Sequence, residues 1–568
     1  MMPGGHDRED VMRRSILFSL VLLASCGGKG KGTDAEMDGD VEEMDAAEQD
    51  VEDAEPDDAG EEEASPPTAC EVLGLPVRDF DPDGSGYLLY DTASDVTLQT
   101  TEGPWTLSEA WSGCDVYLFI QDVPRQCEGW PVALWSRDVA TLFARSPRNV
   151  RYFFVSYEES YDLVLAALDA LRANVDAALA AMSEEDREWW LGRVHYVTDG
   201  ARTLPMWLGV AMRNPGWGAG VDRFQRIRYI GSYGDPTRPP GGTGWFDPNI
   251  SMAANEAVYY NFEAEREAAL EAEGATLVEI FSGEVISDPG WAGERGYATV
   301  TLPGPVEMDG FDTMELDLYL GCEGSGEYGD CPAWDYIASL YLCDETDPDT
   351  CTTELGRWIT TYHREGRWVH DASGLMPLVA SGGERRFAFY TQQPYEVHLS
   401  IRFSNQGKGA RPVQAIYLFS GGDFDLTYND DYAPITVAIP ADAARVEIAT
   451  VLSGHGQVDP GNCAEFCNTT HHFFVNGTEN VRSFPEVGTS DGCMQQVEQG
   501  TVPNQYGTWW YGRSGWCPGK EVPVVMIDVT DQVTPGSDAV LDYEAYYGGS
   551  PYPGGAWIDL TSWLVVSK

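Results

Sequence analysis

The chain is 568 residues long, which is too much for one hydrophobic core and should divide into about three or four domains. It carries 92 Asp and Glu against 35 Lys and Arg, for a formal charge of -57 and a pI near 4.2. Nucleic-acid binding demands a basic footprint, so that partner class is excluded.

Residues 1–25 read as a secretion signal. Met12-Arg13-Arg14 precedes the apolar run Ile16 to Leu23 and the small residues Ala24 and Ser25, and the run is too short for a permanent membrane span. The acids in Met1 to Val11 leave Met12 as an alternative start. Leu23-Ala24-Ser25-Cys26 resembles the lipobox of bacterial lipoproteins, which implies cleavage before Cys26 and lipidation at that cysteine. Residues 26–69 follow as a tether. From Thr33 to Ala69 there are 17 Asp or Glu and no Lys or Arg, a composition that repels itself and cannot collapse onto a core. The expected location is a bacterial cell envelope, lipid-anchored to the outer membrane through Cys26 and surface-exposed.

Residues 70–230 mix helix and strand signals. Asp115 to Ile120 and Val150 to Tyr157 are continuous apolar runs of the kind found in parallel strands covered on both faces. Tyr161 to Ala181 places Val164, Leu168, Leu171 and Val175 on one helical face. The order predicts an α/β domain, loosely thioredoxin-like, but without a Cys-x-x-Cys pair redox chemistry is unsupported and the bland reading is a carrier or spacer. Asp79-x-Asp81-x-Asp83-Gly84 has the rhythm of a calcium loop, yet the twelfth position, where an EF-hand loop needs Glu, is Tyr90.

Residues 231–275 read as a linker and helix: Gly231 to Asn249 is rich in Gly and Pro, and a helix is predicted from Ala253 to Glu273. Beyond it come short alternating stretches, among them Tyr297 to Leu302, Met314 to Leu320, Val397 to Phe403, Ile435 to Ile439 and Val446 to Val451. Regular short strands with little helix predict two antiparallel β-sandwich domains, 276–430 and 431–568, with the break near Gly421 to Tyr432.

The 12 cysteines of an exported chain suggest disulfides. Local pairing would join Cys114 to Cys127, Cys322 to Cys331, Cys343 to Cys351, Cys463 to Cys467 and Cys493 to Cys517, leaving Cys70 over; other pairings remain open. Among these, Cys463-Ala464-Glu465-Phe466-Cys467 holds a carboxylate between cysteines four positions apart. So short a ring orders its loop more than it stabilises the fold, and Glu465 is either fixed for chemistry or simply solvated.

Two further clusters could frame a site. Cys331-Pro332-Ala333-Trp334-Asp335 sets a carboxylate beside a tryptophan at a strand entrance, where partial desolvation raises a pKa toward that of a general base; a turn-capping aspartate is the alternative. Ser453-Gly454-His455-Gly456 and Thr470-His471-His472 flank Glu465. Adjacent histidines on a strand point to opposite faces, so His471 suits a hydrogen-bonding support better than a metal pair. Gly507 to Gly519 concentrates aromatic side chains around Arg513, whose fork could hold a carbonyl oxygen or carboxylate while tryptophan faces suit sugar rings.

Cys331-Pro-Ala-Trp-Asp335, Cys463-Ala-Glu-Phe-Cys467, Thr470-His471 and Arg513-Ser-Gly-Trp-Cys-Pro-Gly519 occur in the order of the bacterial peptide-N-glycosidase F family, and the C-terminal half, about Thr276 to Ser567, resembles it. The resemblance implies two adjacent jelly rolls with a glycan cleft along their interface. It implies hydrolysis of the β-aspartylglucosaminyl amide of an N-linked glycan or glycopeptide, releasing glycan and converting Asn to Asp, with no cofactor and no metal. Asp335 matches the catalytic aspartate, Glu465 an essential glutamate that orders the first N-acetylglucosamine, and Arg513 the arginine at the amide end of the cleft. Trp334 and Trp516 match aromatic walls, and His455 and Gln392 fall at substrate-binding positions. At Tyr390-Thr391-Gln392-Gln393 the family carries a carboxylate where this chain has Gln392, and Glu396 is the nearest acid that could compensate. A noncatalytic glycan-binding lipoprotein on the same scaffold is therefore the alternative, and copper-dependent hydroxylation a third reading that the histidine spacing does not support.

Overall fold

A computed structural model describes residues 67–122, 134–212, 218–238, 247–290, 292–322, 331–456, 465–506 and 512–568. The stretches read from sequence as a signal and a tether, with Cys26, lie outside the described residues apart from 67–69. The chain falls into two units, Met1–Gly74 and Leu75–Lys568. In the first, the helix Ala69–Leu73 is closed by a capping box between Thr68 and Glu71 and ends on Gly74 in the left-handed conformation. Cys70 within it is disulfide-bonded, which corrects its expectation as the leftover cysteine.

The second unit begins with a seven-stranded sheet in the order Gly103–Thr106, Thr97–Thr100, Val194–Val197, Val150–Val155, Val116–Gln121, Gly218–Val221, Ile227–Ile230. The central three strands are parallel, and the outer ones antiparallel because they return as hairpins. Val116–Gln121 is buried along its length, and its alternate residues enter different cores. Val116, Leu118 and Ile120 pack with the helix Tyr161–Ala180, whereas Tyr117 and Phe119 pack with Trp207. Such a strand must be apolar at every position, which is why its sequence shows no alternation. The helix Ala253–Glu273 then leads into the β region, burying Glu256 and Glu263 and ending at Gly274.

Two pairs of antiparallel sheets follow, stacked as jelly-roll-like sandwiches. The first pairs a four-stranded sheet (Gly366–Asp371, Thr313–Gly321, Tyr395–Ser404, Thr276–Ile286) with a five-stranded one (Lys520–Val522, Cys351–Ile359, Ile337–Cys343, Gly383–Thr391, Gly296–Leu302). Leu316, Leu318 and Leu320 alternate inward from one sheet toward Leu340 and Phe389 of the other. The second sandwich is built from Pro412–Phe424, Ala556–Ser567, Arg445–His455 and Val524–Asp528 in one sheet and Ile435–Ala438, Asp538–Tyr546, Thr470–Val475 and Thr478–Arg482 in the other. Pro412–Phe424 already pairs with the C-terminal strand, ahead of the 421–432 break read from the sequence.

The sandwiches are locked together by chain exchange and burial. Lys520–Val522 comes from the second half of the chain but pairs with Cys351–Ile359 of the first sandwich. Arg357, 1% exposed, holds Glu354 through two nitrogens and donates across the junction to Ser453 Oγ at 2.9 Å and the Asp559 carbonyl at 2.8 Å. A buried guanidinium so fully partnered fixes geometry more than it adds stability.

Candidate active site

Asp335 enters from the loop before the Ile337–Cys343 strand, a loop fixed at its start by the Cys322–Cys331 disulfide. The Tyr362 hydroxyl lies beside its carboxyl and favours the ionised form, and the carboxyl oxygen Oδ2 is buried without a hydrogen-bond partner among the described residues. Burial pushes the Asp335 pKa up to about 7, with the Glu465 charge adding to the rise and Arg513 and the Tyr362 hydroxyl opposing it. Tyr362 is missing from any motif in the sequence. It follows a strand end in Thr360-Thr361-Tyr362-His363, where nothing distinguishes it from a core tyrosine.

Glu465 comes from the second sandwich. Its Oε2 accepts from the Gly456 backbone N–H at 3.1 Å, and its carbonyl accepts from the Ser514 N–H at 3.1 Å. Burial raises its pKa, while Arg513 and the Gly456 bond lower it. Cys467 is disulfide-bonded as the clamp requires, and its expected partner Cys463 lies outside the described residues. Gly456 has φ +103°, a conformation that only glycine adopts readily, and so frees its N–H to face the acid.

Arg513 is fully buried. Its guanidinium lies 4.7 Å from the Phe466 ring centroid and 5.0 Å from that of Trp516, so flat aromatic faces shield it from water. The segment is anchored by the Cys493–Cys517 disulfide and by Ser514 Oγ on Thr469 Oγ1 at 2.6 Å. Thr469 in turn meets His471 Nε2 at 2.9 Å, whose Nδ1 meets the Tyr543 hydroxyl at 2.8 Å. His471 is thus the hydrogen-bonding support expected of it, and burial keeps it neutral with a pKa of about 3. Gly515, at φ +90°, has no room for a side chain: a Cβ would lie 2.7 Å from the Leu452 carbonyl oxygen and 2.9 Å from the Phe484 ring.

The remaining expected residues occupy different environments. Trp334 is half-buried and meets Tyr362 at 6.3 Å between ring centroids. Trp516 is 3% exposed and donates from Nε1 to the Gly454 carbonyl at 2.8 Å. His455 is stacked between Trp516 at 5.4 Å and Trp557 at 5.6 Å, with Nε2 on Ser453 Oγ at 2.7 Å; burial lowers its pKa to about 4. Trp557 carries no motif signal and joins this stack because it lies opposite His455 in the strand register. Gln392 is buried with Oε1 accepting from the Tyr390 hydroxyl at 3.1 Å. Glu396 is turned outward, 42% exposed, and pairs with His398 at 3.0 Å. Trp509, Trp510 and Tyr511 lie outside the described residues.

Two acids with raised pKa values and one shielded arginine, drawn from both sandwiches, form a desolvated group suited to proton transfer and stabilisation of a developing oxyanion. Residues 425–556 match the family model described as peptide-N-glycosidase F, C terminal. Peptide-N(4)-(N-acetyl-beta-D-glucosaminyl)asparagine amidase F of Elizabethkingia miricola is 23% identical over 269 residues, which cover 43% of this chain and 70% of that protein. Among solved structures, PNGase F, described as a glycosylasparaginase from Flavobacterium meningosepticum, is 18% identical with a TM-score of 0.42 over 52% of this chain and 96% of that one. PNGF-II is 12% identical with a TM-score of 0.40 over 60% and 71%. The C-terminal region of this chain thus matches the peptide-N-glycosidase F family.

Proposed function

We propose that the protein hydrolyses the β-aspartylglucosaminyl amide of N-linked glycoproteins or glycopeptides, releasing the glycan and converting Asn to Asp. The observation that carries this reading is the convergence of Asp335 with Glu465 and Arg513 in a chain whose C-terminal region matches the peptide-N-glycosidase F family. Asp335, ionised, takes a proton from water as that water attacks the amide carbon. Arg513 stabilises the negative charge gathering on the carbonyl oxygen, and Glu465 orders the sugar next to the amide nitrogen. The C–N bond to the glycosylamine then breaks, the proton passes to its nitrogen, and the released glycosylamine loses ammonia in solution. Trp334 supplies an aromatic wall, and the scheme uses no metal.

The test is incubation of the full-length protein with a denatured N-glycopeptide in the presence of a chelator. Wild type is expected to yield the aspartyl peptide and free glycan, and Asp335→Asn neither. The buried Gln392 favours a second reading, a glycan-binding protein without turnover. That reading prevails if wild type and Asp335→Asn are equally inactive but both bind glycan, and Gln392→Glu then asks whether one charge restores hydrolysis.

We further propose that the mature chain is a lipoprotein of a bacterial cell envelope, held on the outer membrane through Cys26 with the folded part surface-exposed. The apolar run ending in Leu23-Ala24-Ser25-Cys26 and the acidic stretch behind it support this. Metabolic labelling with a tagged fatty acid should mark wild type and not Cys26→Ala. The α/β region is read as thioredoxin-like in arrangement, on the strength of its strand–helix–strand core followed by a hairpin and a helix.

A further inference from the structure

The turn 361–365 serves two masters. Toward the site, Tyr362 lies beside the Asp335 carboxyl, while His363 grips the loop that precedes it, its backbone N–H donating to the Pro332 carbonyl at 2.8 Å and its Nδ1 lying 3.2 Å from the Cys331 carbonyl. His363 does this at φ +56°, a left-handed conformation unfavourable for a residue with a Cβ, which persists only where the surroundings enforce it.

Those surroundings lie on the other side of the turn and come from the N-terminal half of the chain together with residues 503–505. Arg364, 1% exposed, pairs with Glu256 of the Ala253–Glu273 helix at 2.7 Å and donates to the Tyr229 carbonyl at 3.2 Å and the Pro503 carbonyl at 2.5 Å. Glu256, also buried, accepts from Asn504 Nδ2 at 3.0 Å as well. Glu365 accepts from the Tyr90 hydroxyl at 3.2 Å, and its other carboxyl oxygen is buried with no hydrogen-bond partner among the described residues. Next to the turn, Gln505 Oε1 accepts from the Tyr362 N–H at 3.0 Å, and the Gln505 carbonyl accepts from Ser232 Oγ at 2.6 Å.

We propose that the α/β region and the helix Ala253–Glu273 that follows it are a working part of the site rather than a spacer: Glu256 on Arg364 and Tyr90 on Glu365 clamp the turn 361–365 and so hold Asp335 where it reacts. Glu256 and Tyr90 are positioning residues, and the proposal rests on the amidase reading of that site. An uncharged residue at 256 would remove the carboxylate that pairs with the buried Arg364 guanidinium and so loosen the hold on the turn. Removing the Tyr90 hydroxyl strips Glu365 of its described hydrogen bond while keeping the ring in place.

The experiment compares the full-length protein with Glu256→Gln, Tyr90→Phe and the control Asp115→Asn, which neutralises an equally buried carboxylate whose partners are Arg151 and Arg193. Glycopeptide kinetics and hydrogen–deuterium exchange are read at a temperature where all variants are folded. Glu256→Gln is expected to lower kcat by about 10- to 100-fold with KM changed less than about twofold, the signature of a misplaced reacting group. Tyr90→Phe should lower kcat severalfold, and both variants should speed exchange in peptides covering 331–337 and 361–365. Asp115→Asn should do neither. The proposal is overturned if folded Glu256→Gln and Tyr90→Phe match wild type in kcat and local exchange, or if Asp115→Asn reproduces their effects. Should Glu256→Gln fail to fold, Tyr90→Phe decides alone. Exchange does not need turnover: a wild type that releases no glycan, with exchange at 331–337 still quickened by Glu256→Gln, sinks the amidase reading and leaves the clamp standing.

Discussion

Around Asp335, burial and the Glu465 charge push one way while Arg513 and the Tyr362 hydroxyl push the other, and burial wins, leaving the carboxyl near pH 7. In the proposed hydrolysis it acts as a base and must be ionised, so kcat/KM is expected to rise with pH through about 7. Tyr362→Phe removes a hydroxyl that favours the ionised form, so the same limb should move to higher pH in a pH–rate profile. The cost to the fold has a definite sign. A carboxyl whose pKa is higher folded than unfolded binds more protons when folded, so its burial erodes stability as pH climbs from the ordinary 3.8 toward 7. Asp335→Asn should therefore gain about 2–4 kcal/mol near pH 8, read as a higher Tm, with the gain vanishing below about pH 4. Sequence spacing pointed to Asp335 and Glu465 because each sits beside cysteines and aromatic residues. Tyr362, whose hydroxyl lies beside the Asp335 carboxyl, sits in no such pattern, because a side chain arriving from another strand end leaves no mark in local sequence.

Elements position these residues through short, rigid segments. The stretch Arg513–Gly519 leaves the second sandwich and delivers its chain to the edge of the first, with Trp516 packing among Ile359, Val451 and Val522 from both. Gly515→Ala is expected to destabilise the fold by about 1–3 kcal/mol, because its φ and its contacts with Leu452 and Phe484 exclude a Cβ, and to cut kcat by displacing Arg513; thermal unfolding and turnover check both. The strand alternation from Thr276 onward was readable because each sheet has one inner face, as the pattern of Thr313–Gly321 shows. The helix Ala253–Glu273 was equally readable, its end marked by Gly274. What periodicity could not reveal is that Lys520–Val522 would cross between sandwiches, since three residues carry no period and the pairing is set by distant strands. The pairing of Cys70 was hidden for a related reason: setting Cys26 aside leaves 11 of the 12 cysteines, and an odd number makes some residue look superfluous without saying which.

At the scale of the molecule, the two sandwiches and the α/β region meet behind one cluster of charged groups, and Arg357 and Arg364 are the buried cations that stitch them together. Each is locally unremarkable in sequence, since a lone arginine in a strand or just after one reads as surface; only long-range pairing with Ser453 and Asp559, or with Glu256, buries it. The order α/β then paired antiparallel sheets was legible from composition and alternation, but the dependence of one part on another was not. Gln392→Glu is expected to leave the fold intact and raise turnover if a missing carboxylate limits this chain, which steady-state kinetics will show. The most direct measurement is digestion of an N-glycopeptide by the full-length protein in water enriched in oxygen-18, followed by mass spectrometry of the peptide. Hydrolysis of the amide at Asp335 predicts an aspartyl peptide bearing a single heavy oxygen in its new carboxyl and no such product from Asp335→Asn; a peptide left with an N-acetylglucosamine on intact Asn, or one untouched by wild type, would contradict the account.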